Sequence, residues 1–269
     1  MTASHALQAL IAVTNREVSK FVRQTGRLIS ALVRPSLWVV VFAAGFQNVF
    51  GVSIVPPYET YVEYQVYIAP GLLGMVLLFN GMQSSLAMVY DREMGIMRLL
   101  LTAPLPRWYL LLCKLLAGTL LSVLQCYAFL VICLLFQIDL PLSGWLFALP
   151  AMLLGGMMLG ALGLLLSVYI KQLENFAGTM NFVIFPMFFL SSALYPLWKL
   201  QESGADVIYQ ISRFNPFTHA VELIRFALYG QFNIVALLVV LAALALFFAV
   251  AVMGYDPQRG QVRRAKRPG

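Results

Sequence analysis

Residues 91–107 read DREMGIMRLLLTAPLPR and form a charged segment between two long apolar runs. Before the segment, residues 67–90 contain no acidic or basic side chain, and after it residues 109–136 contain only Lys114. About 20 apolar residues are enough for a helix to cross the hydrocarbon core of a membrane. The two runs therefore predict membrane spans. They put residues 91–107 at the water boundary, where a soluble protein could contact them.

The composition is typical of an integral membrane protein. Of the 269 residues, 61% are hydrophobic and 11% are charged, whereas about a quarter of the residues of a soluble domain are charged. The net charge of +7 would suggest nucleic-acid binding in a soluble protein. In a membrane protein, Lys and Arg on the cytoplasmic loops produce the same excess, so we expect no nucleic-acid partner.

The cysteines are predicted to be buried apolar residues, because free Cys is among the most buried residue types. They are Cys113, Cys126 and Cys133. Their spacing matches no metal-binding pattern, and a disulfide within one helix is geometrically implausible. We therefore expect neither a metal site nor a disulfide.

Six apolar runs have about the length of a membrane span. They are residues 36–54, 67–90, 109–136, 145–169, 176–194 and 233–253. Ahead of them, residues 5–34 carry apolar side chains at three- and four-residue steps with basic residues between them. This pattern predicts a basic amphipathic helix on the membrane surface; the alternative is a core-facing helix of a soluble domain. We expect an all-α protein with an interfacial helix (1–34), a six-span domain (35–255) and a basic tail (256–269).

The basic residues predict the orientation of the chain. With a cytoplasmic N-terminus, 15 of the 18 Lys and Arg residues lie on the inside, and only Lys199, Arg213 and Arg225 lie outside. Because Lys and Arg accumulate on cytoplasmic loops, both termini are predicted to be cytoplasmic.

The fourth run contains the pattern Gly156-x-x-x-Gly160, which permits two helices to approach closely. Packing inside one subunit and dimerisation both explain it.

Residues 195–232 are too apolar for a free outer loop, and the helix predicted within them is too short to span the membrane fully. The segment opens with Tyr195 and Pro196. Asn215 can cap a helix that begins at Pro216, and Gly230 can end that helix. Within the helix, Glu222 and Arg225 are close enough to pair. We expect a partly re-entrant segment that is packed against protein.

The segment 91–107 itself predicts a short surface helix. A polar stripe runs along one side of this helix, and apolar residues cover the other side. The stripe consists of Asp91, Gly95, Arg98 and Thr102. Pro104 ends the helix, because the residue before a proline resists the α conformation, and Arg107 follows the turn. The alternative is an ordinary interfacial loop.

Several motifs, taken in order, resemble the membrane subunits of type 2 ABC exporters. They are Asp91-Arg-Glu-x-Gly95 after the second run, Thr102-x-Pro-x-x-Arg107, Lys114 at the start of the third run, Tyr195-Pro-Leu after the fifth, and Asn215-Pro-Phe-Thr with Glu222-x-x-Arg225 before the sixth. The resemblance covers residues 10–255 and is greatest to the small bacterial drug, nodulation-factor and polysaccharide export permeases. The chain has Gly95-Ile96 where the family often has Gly-Thr, and Ala103 replaces a more polar residue.

The resemblance implies a mechanism and a set of partners. Two such subunits, expected here to be copies of one chain, would pair with two cytoplasmic ATPases that bind ATP and Mg²⁺. Residues 91–103 would be the coupling helix that docks on the ATPase. The docking residues would be Asp91, Arg92, Glu93, Gly95, Arg98, Thr102, Pro104 and Arg107. The chain would lie among the lipids of the bacterial inner membrane and export an amphipathic, drug-like, lipid-linked or glycan substrate.

Other functions are weaker fits to the sequence. No Gly-x-x-x-x-Gly-Lys-Ser/Thr phosphate loop occurs, so ATP hydrolysis is expected in a separate subunit. Apart from Lys114, the six runs contain no ionisable Asp, Glu, Lys, Arg or His. Ion-coupled transporters normally need such groups. An ion-coupled transporter, a channel and a purely structural subunit remain the alternatives, and no catalytic residues are predicted.

A few polar residues inside the runs are candidates for a translocation path. They are Asn80, Gln83 and Ser84 on the second run and Asn181 on the fifth. Hydrogen bonding between neighbouring helices is the alternative role of these side chains.

Overall fold

The structure is a computed structural model that describes residues 3–23, 33, 35–41, 56–94, 106–170 and 172–255. The helices with defined bounds in this part are α1 (Ala3–Arg23), α2 (Tyr64–Glu93), α3 (Arg107–Leu135), α4 (Leu142–Tyr169), α5 (Leu173–Phe189), α6 (Leu197–Glu202), α7 (Asp206–Phe214), α8 (Pro216–Leu228) and α9 (Ile234–Gly254). Residues 35–41 are also helical. The predicted all-α class is confirmed for these residues.

Among the described residues, four helices are long and apolar enough to cross a membrane: α2, α3, α4 and α9. They coincide with the second, third, fourth and sixth predicted spans. The first predicted span, 36–54, is described only as far as residue 41. The total of six spans therefore stays a prediction.

The helix of the fifth predicted span, α5, has 17 residues and ends at Phe189, five residues before the predicted end of the span. The side chains that follow explain this early end. Ser191 Oγ donates to the carbonyl of Phe188 and accepts from the amide of Ala193 at 3.2 Å. Such local bonds between a serine and the backbone compete with helical hydrogen bonds.

The helical stretch 35–41 lies at the end of α5 that is opposite Leu173. The Trp38 ring lies 5.9 Å from the Phe188 ring and 6.1 Å from the Phe189 ring, measured between centroids. A span that begins on the cytoplasmic side at residue 36 would instead bring Trp38 near the start of α5. The path of residues 42–55 lies outside the described residues.

Helix α4 is the centre of the described structure and packs against α2, α3, α8 and α9. Its glycines make this possible. A Cβ atom on Gly81 of α2 would lie 3.0 Å from the Cα of Gly160, and one on Gly156 would lie 3.0 Å from Cγ2 of Thr119. The Gly156-x-x-x-Gly160 pattern thus serves helix packing inside the subunit.

The cysteines are all free and buried, as the sequence predicted. Cys126 Sγ lies 3.7 Å from the carbonyl oxygen of Leu73 on α2. The thiol therefore fills space between α2 and α3 in the way of a small apolar side chain.

Candidate functional site

The end of α2 carries the first three residues of the segment that resembles a coupling helix. Asp91, Arg92 and Glu93 belong to the last turn of α2 itself, which continues three residues beyond the predicted span. The other predicted docking residues in this segment, Gly95, Arg98, Thr102 and Pro104, lie outside the described residues. Arg107 is exposed at the first position of α3. The short separate helix predicted at 91–103 stays a prediction.

Asp91 is a buried carboxylate, with 2% of its surface exposed. Its Oδ2 atom lies 3.3 Å from Nη2 of Arg16 on α1 and 3.5 Å from Nζ of Lys114 on α3. A buried charge is costly unless it is paired. Asp91 therefore holds three helices together, and Lys114, the one basic residue of its apolar run, is its buried partner.

Arg92 binds the end of α4. Its Nη2 atom donates to the carbonyls of Ser167 and Ile170, both at 2.8 Å. The last carbonyls of a helix have no partner within the helix, and they form the negative end of the helix dipole. The guanidinium supplies both the missing donor and a favourable charge.

Glu93 binds the start of α5. Its Oε1 atom accepts a hydrogen bond from the amide of Leu173 at 3.0 Å. The first amides of a helix lack partners within the helix and favour a negative charge. Asp91, Arg92 and Glu93 thus connect the end of α2 to α1, α3, α4 and α5, and we call this group the α2 clamp.

The resemblance implies that the three residues of the α2 clamp belong to a surface that docks a partner, whereas the structure gives each of them a contact inside the subunit. Two signals in the sequence point to these contacts. Lys114 is the only charged residue in its run, so it needs a nearby acid. The short turn between the fourth and fifth runs leaves helix ends that need capping. Neither signal identifies which acid or which arginine is the partner.

The candidate path residues do not lie in one place. Asn80 Nδ2 donates to Oε1 of Gln125 on α3 at 2.6 Å, and Ser84 lies one turn further along α2, beside Ser122 of α3. Gln83 is half-buried, whereas Asn181 on α5 is exposed and does not line the recess that contains Asn80 and Ser84. The structure therefore brings Asn80 and Ser84 together and leaves Asn181 apart.

Arg225 organises the opposite end of the molecule. It is buried and forms the predicted ion pair with Glu222. Its Nη2 atom donates to the carbonyl of Ser192 at 2.9 Å, and its guanidinium carbon lies 4.1 Å from the centroid of the Tyr67 ring. A planar guanidinium suits this combination of ion pair, carbonyl and aromatic face. Arg225 thereby ties α8 to α2 and to the turn after α5.

Tyr58 lies beside this arginine, in the segment before α2. Its ring is 4.9 Å from the Tyr229 ring, measured between centroids. Burial raises the pKa of Tyr58 to about 12, although the Arg225 guanidinium acts in the opposite direction. The phenol is therefore neutral at physiological pH, and Glu222 is the acid that pairs with Arg225 in the described part of the chain.

Asn215 caps two helices at once. Its Oδ1 atom accepts from the amide of Phe217 at 3.0 Å, so it is the N-cap of α8, and Pro216 is the first residue of that helix. Its Nδ2 atom donates to the carbonyls of Met187 and Leu190 at 2.7 Å each. The predicted N-cap is confirmed, and the contact with the end of α5 is an addition that only the structure shows.

The remaining predicted residues of the outer segment lie at the ends of helices. Tyr195 donates through its hydroxyl to the carbonyl of Phe189, and Pro196 precedes the first residue of α6. Gly230 has a φ angle of +66° two residues after the end of α8, which suits the end of a helix. Helix α8 packs on α2, α4 and α9, so the excursion between α5 and α9 includes a helix that is covered by protein.

Known proteins match most of the chain. Residues 8–229 match the ABC-2 type transporter family. The ycf38 protein of Cyanophora paradoxa, named as a transport permease, is 30% identical over 232 residues, which are 84% of this chain and 76% of the relative. Nodulation protein J of Rhizobium leguminosarum bv. viciae is 33% identical over 86 residues, 32% of each chain. The inner membrane transport permease YadH of Escherichia coli K12 is 22% identical over 213 residues, 77% of this chain and 81% of the relative.

Proposed function

Because the chain belongs to the ABC-2 type transporter family and is an integral membrane protein, we propose that it is the permease subunit of an ATP-driven exporter. Members of this family normally work with an ATPase subunit. We propose that a separate cytoplasmic ATPase binds ATP and Mg²⁺ and docks on residues 91–107. The transported substrate is an amphipathic, drug-like, lipid-linked or glycan molecule.

The α2 clamp is the observation that supports this proposal most directly. Asp91, Arg92 and Glu93 connect the end of α2 to four other helices through side-chain contacts of 2.8–3.5 Å. The segment that would dock on the ATPase follows immediately in the chain. A displacement of that segment would therefore move α1, α3, α4 and α5 together. Coupling between a soluble ATPase and a translocation path requires such a joint movement.

The predicted docking residues therefore have two different roles in the proposed coupling. The three clamp residues are positioning residues, because their side chains are engaged inside the subunit. Arg98, Thr102 and the exposed Arg107 are the docking residues. Exposed charges of this kind set the register and the choice of a partner.

The surroundings of the permease follow from the same proposal. Both termini lie in the cytoplasm, since 15 of the 18 Lys and Arg residues then lie inside. The membrane is the bacterial inner membrane, and a second copy of the chain completes the translocation path.

Co-purification tests the proposed function. The chain is tagged at its C-terminus, extracted from membranes of its native host in mild detergent, and analysed by mass spectrometry. We expect an ATPase with a phosphate loop to co-purify with the chain. We expect Arg98→Glu to lose it, because reversing a charge on the docking surface removes electrostatic complementarity with the partner.

Arg213→Glu is the matched control, because Arg213 is exposed on α7 at the end of the molecule that lies away from the α2 clamp. This variant should retain the ATPase. If the Arg98→Glu variant also retains it, the docking contact lies elsewhere and the function stands. A chain that purifies alone from cells expressing its neighbouring genes would overturn the exporter assignment in favour of a channel, an ion-coupled transporter or a structural subunit.

A further inference from the structure

A polar recess lies between α2 and α3 within the apolar part of the chain. Its lining comes from α2, α3 and one residue of α1, and consists of Glu17, Asn80, Ser84, Gly118, Leu121, Ser122 and Gln125. Ser84 lies seven positions before Asp91 on α2, which is roughly 10 Å along a helix. The recess therefore lies about two turns inside the end of α2 that carries the α2 clamp.

The recess has room for water. Its cavity volume is about 30 Å³, enough for about two water molecules. A smaller cavity adjoins it, lined by the same Ser84, Gly118 and Ser122, and leads to Lys114. Because polar cavities of this size hold water rather than staying empty, the structure provides a hydrated pocket among helices that face lipid elsewhere.

The side chains around the recess offer acceptor oxygens and one carboxylate, beside the amide nitrogen of Gln125 and the hydroxyl of Ser84 as donors. Asn80 uses its amide nitrogen to bind Gln125 at 2.6 Å, which leaves the Asn80 carbonyl oxygen. Ser122 donates its hydroxyl to the carbonyl of Gly118 at 2.8 Å, which leaves its oxygen as an acceptor. Glu17 adds a carboxylate, and the neighbouring cation Lys114 is already paired with Asp91. The recess therefore suits a group that donates hydrogen bonds or is positively charged.

Helix α1 covers this recess and is loosely held. None of the α1 side chains that the structure describes, residues 7–19 and 23, is buried. Its packing is on α3, and its one ion pair within the described part of the chain joins Arg16, 37% exposed, to Asp91. A helix attached through exposed side chains and a partly exposed ion pair can move at a small cost in free energy.

We infer that the recess is a hydrated binding site for a small hydroxyl-bearing or cationic head group, and that α1 is a movable cover which Arg16 and Asp91 hold closed. The hydration and the cover do not depend on an ATPase. We also assign the recess a role in transport, as the place where a substrate head group leaves the inner side of the membrane. This role rests on the proposed function.

Cysteine accessibility in membrane vesicles tests the inference on the full-length chain. The native cysteines are replaced by Ala, and Ser122→Cys or Ser84→Cys is introduced. The vesicles are treated, without nucleotide, with a cationic methanethiosulfonate reagent (2-aminoethyl) and with an anionic one (2-sulfonatoethyl). The matched control is Leu124→Cys, because Leu124 lies on the same helix with 61% of its surface exposed to the apolar surroundings.

We expect the cationic reagent to label both recess cysteines at least about tenfold faster than Leu124→Cys, because a thiol in lipid has a raised pKa and little reactive thiolate. Adding Glu17→Gln should lower the ratio of cationic to anionic labelling severalfold, since the carboxylate is removed. Adding Arg16→Gln should accelerate labelling by both reagents, since it releases the cover.

Equal labelling of the recess cysteines and the Leu124→Cys control would overturn the hydrated site. An unchanged reagent ratio in Glu17→Gln would overturn the preference for cations, and an unchanged rate in Arg16→Gln would overturn the cover. Because the vesicles contain no nucleotide, none of these outcomes depends on an ATPase partner. A failed co-purification together with fast, charge-selective labelling would reject the proposed function and leave the site in place.

Discussion

Two buried charged residues account for much of the organisation at the residue scale. Asp91 and Arg225 are each 2% exposed, and each contacts several helices or turns. A buried ion that loses its partner is strongly destabilising, whereas a pair that is replaced by apolar residues can be neutral. Stability measurements on single and paired replacements can therefore distinguish a structural role of such a residue from a direct role in docking a partner.

We predict that Asp91→Asn lowers the free energy of unfolding by about 3 kcal/mol, because Lys114 is left buried without a counter-ion. The double variant Asp91→Asn with Lys114→Met should recover part of this loss, since no uncompensated cation remains. Unfolding of the detergent-solubilised variants, monitored by intrinsic fluorescence, measures both free energies of unfolding. Asp139→Asn is the exposed control and should change little. A double variant less stable than Asp91→Asn would contradict the assigned pairing.

We predict that Arg225→Lys destabilises the chain by about 2 kcal/mol although the charge is retained. An ammonium group cannot at once bind Glu222, reach the carbonyl of Ser192 and stack on Tyr67. The same unfolding measurement serves, with Arg213→Lys on the exposed surface of α7 as the control. Equal stability of the Arg225→Lys variant and the unmodified chain would show that only the charge matters at this position.

At the element scale, small residues decide how closely the helices approach α4. The first turn of α4 meets the end of α8 at Gly144, where an added Cβ atom would lie 1.8 Å from the carbonyl oxygen of Leu228. The obstacle is backbone and cannot rotate away. Gly178 in α5, in contrast, has no atom within 4 Å of such a Cβ.

We predict opposite results for alanine at these two glycines. Gly144→Ala should cost about 3 kcal/mol, because α8 must shift away from α4. Gly178→Ala should cost nothing, or stabilise the chain by up to about 1 kcal/mol, because alanine favours a helix. Thermal unfolding of the detergent-solubilised variants distinguishes them. Similar losses in both variants would show that glycine is needed for some reason other than the contact with α8.

At the scale of the whole molecule, one face of α5 leaves a polar side chain uncovered by the part of the chain that the structure describes. Only Phe176, Ile184 and Phe188 of α5 are buried. Phe182 is 79% exposed, and the polar Asn181 beside it is also exposed. A polar side chain on the surface of a helix in lipid is unfavourable unless protein or water covers it. A second copy of the chain that packs against this face would provide that cover.

We predict that Phe182→Cys, in a chain whose native cysteines are replaced by Ala, forms a disulfide-linked dimer when membranes are oxidised with copper phenanthroline. The two α5 helices would then face each other across a two-fold axis. Leu238→Cys is the control, because Leu238 is 59% exposed on α9 and faces lipid in this arrangement. A dimer band of equal strength for both variants would indicate random collision, and no band for Asn181→Cys, Phe182→Cys or Phe185→Cys would exclude an α5 interface.

Run lengths and local motifs are enough to predict the class of this protein, many of its helices and its family resemblance, whereas the contacts between residues distant in the chain depend on how the helices pack. Apolar run length predicts α2, α3, α4 and α9, because crossing the hydrocarbon core requires a minimum number of apolar residues. The N-cap Asn215 and the pair of Glu222 with Arg225 were also predictable, because these contacts are local in the chain. The partners of Asp91, by contrast, are 75 and 23 residues away. Periodicity places a side chain on a face of its own helix but does not say which helix covers that face, so the α2 clamp and the recess beside Glu17 appear only when the helices are packed.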